Sequence, residues 1–329
     1  APRAGPPATA SSLLLSEAPA GYTDKTWPAQ VPREPGFVSF IERFPMTRGD
    51  QSLLHGLPAR FDWHLFRPAS YPFFRKDPRT VFTSSGRPIM ELVLDVLEKH
   101  YNNTRNDRIL YVTGDTLLSK FDKVKLAKLK RLFKGGIYWQ AKDVPMDGVM
   151  AAPDGLNENY ARVAWNSAGQ AIAAARLEKP RMALAAWGAL HALSDLPSRR
   201  DLELWLRTPL PALAGVERKT FDMNTYWHEL AKYRFLLAPP GAGVQSPKVD
   251  EALLVLTIPI VQRDGMPAFD ELKAMGWPIV VVDSWREITR EKLDAWWGEL
   301  SPRLLSFRQN CLTTEGFWRI ISGGLKRCG

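Results

Sequence analysis

From Thr80 onward, short apolar runs alternate with amphipathic stretches, and this alternation most narrows the folds open to the chain. RTVFTSS reads as a strand. After Pro88, IMELVLDVLEKHY places Ile89, Leu92, Val93, Val96 and Leu97 on one helical face. RILYVTGD reads as a buried strand, VKLAKLKRLFK as an amphipathic helix, and GIYWQ and DGVMAAP as short extended segments. NENYARVAWNSAGQAIAAARLEK is largely helical, MALAAWGAL is a strand, and SDLPSRR is a loop entering the helical DLELWLR. Strands separated by helices imply a parallel sheet with helical crossovers.

A second series begins near Phe221. TYWHELAKY, SPKVDEALLVL and FDELKAMG are its helices, RFLLAP, IPIVQ and WPIVVVD its strands, and ITREKLDAWWGELSPRLLSFRQNCL a helical close. With 329 residues the chain is long enough for two domains. The expected division is an irregular N-terminal extension over 1–75, a Rossmann-like domain over 76–205 and a second over 206–329. Trp27, Phe37, Trp63 and Phe66 are among the aromatics that favour packing of the extension onto the body. Two such halves facing each other leave a cleft lined by strand carboxyl ends and helix N-termini.

Composition excludes several classes. Hydrophobic residues are 45% of the chain, enough for a folded core, and no apolar run approaches the length of a membrane span. Lys and Arg total 44 against 35 Asp and Glu, and the resulting +9 favours an anionic partner. No nucleic-acid reading motif accompanies that charge. The seven basic residues from Lys120 to Lys134 flank an apolar stripe of Leu126, Leu129, Leu132 and Phe133, the pattern of a solvated helix packed on a sheet. The five histidines lack metal-ligand spacing, so no metal site and no cofactor is expected.

The most informative stretch is YRFLLAPPGAGVQSPKVDEALLVLTIPIV, residues 233–261. A strand delivers the chain to a turn in which Gly241 and Gly243 permit close backbone approach and positive φ. Ser246 is the expected N-cap of the next helix, Pro247 suits its first turn, and Lys248 adds a cation near the positive end of the helix dipole. Such a combination suits a diphosphate. Glu251, three residues after Lys248, shares its helical face and suits the two hydroxyls of a ribose. The plainer reading of the same residues is a glycine turn before a capped helix.

The order FLLAPPGAG, SPKVDEAL, IPIV and then a Trp-Pro strand with VVVDSWREIT resembles the C-terminal half of exostosin-like glycosyltransferases. The resemblance is close over about 221–290 and looser in the first half, where it rests on YVTGD, IYWQAKD and APDGL. It implies a GT-B-like α/β fold of two facing Rossmann-like domains with parallel sheets. It also implies a nucleotide-sugar donor and a glycan or glycoprotein acceptor, with a hexosyl or pentosyl group transferred without a metal. By position, Glu251 matches the donor-ribose glutamate, and Lys248 stands where arginine is commoner. A lysine is a point charge without arginine's bidentate fork, which leaves Arg199 and Arg200 to share the role.

Arg199 and Arg200 are suited to neutralising a leaving diphosphate; an arginine pair at a helix start is the plainer alternative. Arg218 and Lys219 are weaker candidates of the same kind. Asp115, at the end of ILYVTGD, is the candidate base, with Asp143, Asp147 and His191 as alternatives. Asn102-Asn103-Thr104 is a glycosylation sequon, the opening APRAGPPATASS is stem-like, and Cys311 with Cys328 suits a terminal disulfide. Together they lead to the expectation of a Golgi or endoplasmic reticulum lumenal enzyme, type II in full length, touching membrane only through an anchor outside this sequence. The alternative function is a non-catalytic polyanion- or glycan-binding protein on a degenerate transferase fold.

Overall fold

The computed structural model describes residues 63–65, 80–84, 106–155, 165–187, 197–241, 243–312 and 327–328. Within them are two five-stranded sheets, parallel at every pairing. The first has the order β1 (Trp63–Leu65), β2 (Thr80–Ser84), β3 (Ile109–Thr113), β4 (Gly136–Trp139), β5 (Val149–Ala151). The second contains β6 (Arg181–Ala185), β7 (Val216–Arg218), β8 (Tyr233–Leu237), β9 (Ile258–Gln262) and β10 (Val280–Val282), in the order β10-β9-β8-β6-β7. The helices are α1 (Lys123–Leu132), α2 (Trp165–Ala174), α3 (Pro197–Leu206), α4 (Leu210–Ala214), α5 (Met223–Leu230), α6 (Lys248–Leu254), α7 (Ala268–Ala274), α8 (Arg290–Leu300) and α9 (Leu304–Asn310). None of these is long and apolar enough to cross a membrane. The α/β, two-sheet architecture is the one expected.

Alternation along the first sheet divides its residues between two cores, because successive strand side chains point to opposite faces. Leu110, Val112, Ile137 and Trp139 pack with Leu126, Leu129 and Leu132 of α1. Ile109, Tyr111 and Tyr138 join the larger core around the second sheet. In that sheet β8 and β9 are apolar almost throughout and buried on both faces, as central parallel strands require.

The two halves are bonded to each other through the elements that flank the second sheet. Gln245 Nε2 donates to the carbonyls of Gln140 and Ala152, both at 2.7 Å, and the Gly155 amide donates to Asp250 Oδ2 at 2.7 Å. Glu271 pairs with Lys142 and accepts from the Ala151 amide at 2.7 Å. Val244, Met266 and Ala268 from the second half sit in the core of the first.

Several expectations need correction. β6 belongs to the second sheet, so the change of sheet falls between Ala151 and Arg181, ahead of the expected 205/206 boundary. β6 is apolar on both sides and fits only where sheet faces are covered, a property that local pattern does not assign to one sheet or the other. Trp63–Leu65, inside the stretch expected to be irregular, pairs with β2; Phe61, Trp63 and Leu65 have the period-2 spacing of a strand. Pro197 opens α3, so the arginine pair lies in a helical first turn rather than in a loop. The C-terminal helical stretch is broken by a 3-10 turn at Ser301–Arg303, where Pro302 cannot supply an amide. The helix expected over 89–101 and the sequon at Asn102 lie outside the described residues.

Cys311 and Cys328 form a disulfide. It holds residues 327–328 against the turn after α7, where the Cys328 amide donates to the Met275 carbonyl at 2.8 Å.

Candidate functional site

In an open parallel sheet, ligands bind at the carboxyl ends of strands where the strand order reverses. The second sheet reverses at β6, whose neighbours are β7 on one side and β8 on the other. The chain leaves β8 through the glycine turn and enters α6, and α3 starts with Arg199 in its first turn.

Arg199, Lys248 and Glu251 form one electrostatic cluster. Burial lowers the Lys248 pKa, the Glu251 carboxylate opposes that shift, and the Arg199 guanidinium adds to it. Burial raises the Glu251 pKa, against the favourable influence of Lys248 and the Tyr226 hydroxyl. Both Glu251 oxygens are sealed from solvent, facing the Tyr226 hydroxyl and Lys248. Arg199 is shifted down, first by burial, while Glu203 one turn along α3 opposes this.

Tyr226 completes the cluster. The Lys248 ammonium lies over its ring, 4.3 Å from the centroid, and donates to its hydroxyl at 3.3 Å. Neighbouring contacts fix the helices that carry these groups. Asp222 caps α5 by accepting from the Asn224 and Thr225 amides. Lys179 Nζ donates to Ala231 and Val255, the carbonyls ending α5 and α6, at 2.6 and 2.7 Å. Cations at helix C-termini are favoured by the dipole. The start of α3 is held by Ser198, whose hydroxyl donates to Gln262 Oε1 at 2.8 Å and whose carbonyl accepts from Trp285 Nε1 at 2.9 Å.

The glycine turn differs from its expected form. Gly241 does not have positive φ. Gly243 does serve close approach: a Cβ there would stand 3.2 Å from Asp115 Oδ1. The turn is a joint between sheets, because Val244 and Gln245 after it are anchored in the first half. Pro247, in αR conformation, takes the cap position in place of Ser246, and the Lys248 amide is 3.5 Å from Ser246 Oγ. The Val249 amide bonds the Ser246 carbonyl at 3.1 Å.

Asp115 is exposed at the carboxyl end of β3, against Gly243. Arg200 is exposed on α3, beside the buried Arg199. Asp143 is engaged in capping Ser119 through its amide and hydroxyl, Asp147 is an exposed loop residue, and His191 lies outside the described residues. Arg218 and Lys219 are paired with Glu203 and Glu217. Among the described residues no group of three or more His, Cys, Asp or Glu is placed to hold a metal. Sequence reasoning missed Tyr226, Ser198 and Gln262; their signal is a polar group on an otherwise apolar face.

Among solved structures, the chain is similar to AviGT4, a glycosyltransferase involved in avilamycin A biosynthesis, at 14% identity and a TM-score of 0.31. The match covers 74% of this chain and 85% of that one. It is also similar to a glycosyltransferase from Rickettsia africae ESF-5, at 7% identity and a TM-score of 0.33, over 75% of this chain and 89% of that one. No family model and no curated protein matches.

Proposed function

We propose that the protein is a glycosyltransferase of exostosin-like type, moving a hexosyl or pentosyl group from a nucleotide-sugar donor to a glycan or glycoprotein hydroxyl. The observation that carries this reading is the convergence of Arg199, from the start of α3, with Lys248 and Glu251 of α6 at the reversal point of the second sheet. As the bond to the sugar breaks, negative charge grows on the departing diphosphate. Fixed cations in a partly buried site stabilise that charge without reorganising at the moment of reaction. Arg199 and Lys248 are assigned this work, with Arg200 at the exposed rim and Gly241, Gly243 and Ser246 shaping the entry to α6. Asp115 is assigned as the base for an inverting reaction, because it is exposed beside Gly243.

Glu251 is assigned to the donor ribose from the family resemblance. Its carboxylate is sealed in the present conformation, so the assignment requires it to be uncovered when donor arrives. The same sealing favours the second reading, a polyanion- or glycan-binding protein on a degenerate transferase fold, in which Lys248, Glu251 and Tyr226 only hold the fold. The Cys311–Cys328 disulfide supports a Golgi or endoplasmic reticulum lumenal setting.

Thermal stabilisation by a panel of nucleotide sugars tests the proposal, since a ligand that binds only the native state raises the melting temperature. Calorimetry with the best ligand then compares wild type with Glu251→Gln. A ribose contact predicts affinity about ten- to a hundredfold weaker in the variant. Equal affinities remove the ribose assignment, and a panel without any stabilising nucleotide leaves the second reading ahead.

A further inference from the structure

A lysine carries its charge at the end of a flexible four-carbon stem, and a charge that must meet a diphosphate gains from being held still beforehand. In this site a tyrosine from another helix lies under that charge. The Tyr226 ring centroid is 4.3 Å from Lys248 Nζ, and its hydroxyl accepts from Nζ at 3.3 Å. Tyr226 is 4% exposed, and its helix is tied by Asp222 at one end and Lys179 at the other, so the ring is itself fixed. An aromatic face attracts a cation through its quadrupole and does not cancel the charge, unlike a second carboxylate beside Glu251.

Resting on the donor-site reading above, we infer that Tyr226 is a positioning residue for the donor diphosphate, holding the Lys248 ammonium in place beside Arg199. Its ring restricts the lysine stem, and its hydroxyl sets the direction of one N–H. Tyr226 acts on the diphosphate through Lys248, while its hydroxyl also faces the Glu251 carboxylate.

A double-mutant cycle with inorganic pyrophosphate as the calorimetric probe tests this. Tyr226→Leu is expected to weaken pyrophosphate binding about tenfold, and Lys248→Met at least as much. The double variant is expected to bind no more weakly than Lys248→Met alone. Tyr226→Phe, which keeps the ring, should restore affinity to within about threefold of wild type. If Tyr226→Leu fails to fold, the threefold loss in Tyr226→Phe should vanish in the Lys248→Met background. A Tyr226 effect that persists undiminished in Lys248→Met, or wild-type affinity in a folded Tyr226→Leu protein, overturns the inference while leaving the donor site standing. Wild-type affinity in Lys248→Met overturns the donor site, and this inference with it.

Discussion

The backbone amide of Gly155 donates to Asp250 Oδ2 at 2.7 Å, joining the loop after β5 to the first turn of α6. The helix that carries Lys248 and Glu251 is thereby fixed to the first sheet. Trp277 Nε1 donates to the other oxygen at 3.3 Å. Complete burial nevertheless raises the carboxyl pKa to about 6, with Glu251 adding to the shift.

A pH dependence follows from that carboxyl. Its folded pKa lies above its unfolded value near 3.8, so its contribution to stability is full below about pH 4 and is lost as pH rises through about 6. About two pKa units correspond to about 3 kcal/mol. Asp250→Asn does not titrate, so the stability of wild type relative to the variant should fall by up to about 3 kcal/mol between pH 4 and 7, then level off. Urea denaturation of both proteins across this range checks it; a pH-independent difference contradicts it.

Glu271 is expected to be a strong point of attachment between the sheets. Lys142 is almost fully buried, donates to the Val149 carbonyl at 2.6 Å and pairs with Glu271. Removing one member of a buried pair leaves a stranded charge, so Glu271→Ala should cost about 3–5 kcal/mol. Replacing both residues by apolar ones of similar size, Lys142→Met with Glu271→Leu, should recover most of the loss. Chemical denaturation of the three proteins decides it, and a double variant no more stable than Glu271→Ala would contradict the buried-charge account.

Gly276 has φ of +105°, and a Cβ there would fall 1.8 Å from the Cys328 carbonyl oxygen, a backbone atom that cannot swing aside. Gly276→Ala should lift residues 327–328 from the turn and break the bond from Cys328 N to Met275 O. The cost should be about 2–3 kcal/mol, from left-handed strain and one lost hydrogen bond. The disulfide should also become easier to reduce, which thiol labelling at graded reductant concentrations measures. Unchanged stability and reduction would contradict this packing.

Much of the fold was legible because each strand or helix carries its own period, as in RILYVTGD and VKLAKLKRLFK. The allegiance of β6 was not, since an apolar strand fits either sheet and only long-range pairing with Phe235 and Val216 decides. In the site, Lys248 and Glu251 were legible from their helical spacing, and Arg199 from its place after a strand. Tyr226 was not, because a tyrosine on the buried face of α5 looks like core until Lys248 is placed over it. The need for a glycine at 243 was legible as close approach, but the partner was not: Gly243 accommodates Asp115 across the two halves, a contact with no local signature.

The most direct test of the donor site is a nucleotide-release assay. The full chain is incubated with a panel of nucleotide sugars, and liberated nucleoside diphosphate is measured for wild type, Arg199→Gln and Lys248→Met. The account predicts that one donor is consumed by wild type and that each variant is slower by about ten- to a hundredfold, as expected when a cation that stabilises the leaving group is removed. Release from no donor, or equal release by wild type and both variants, would contradict it.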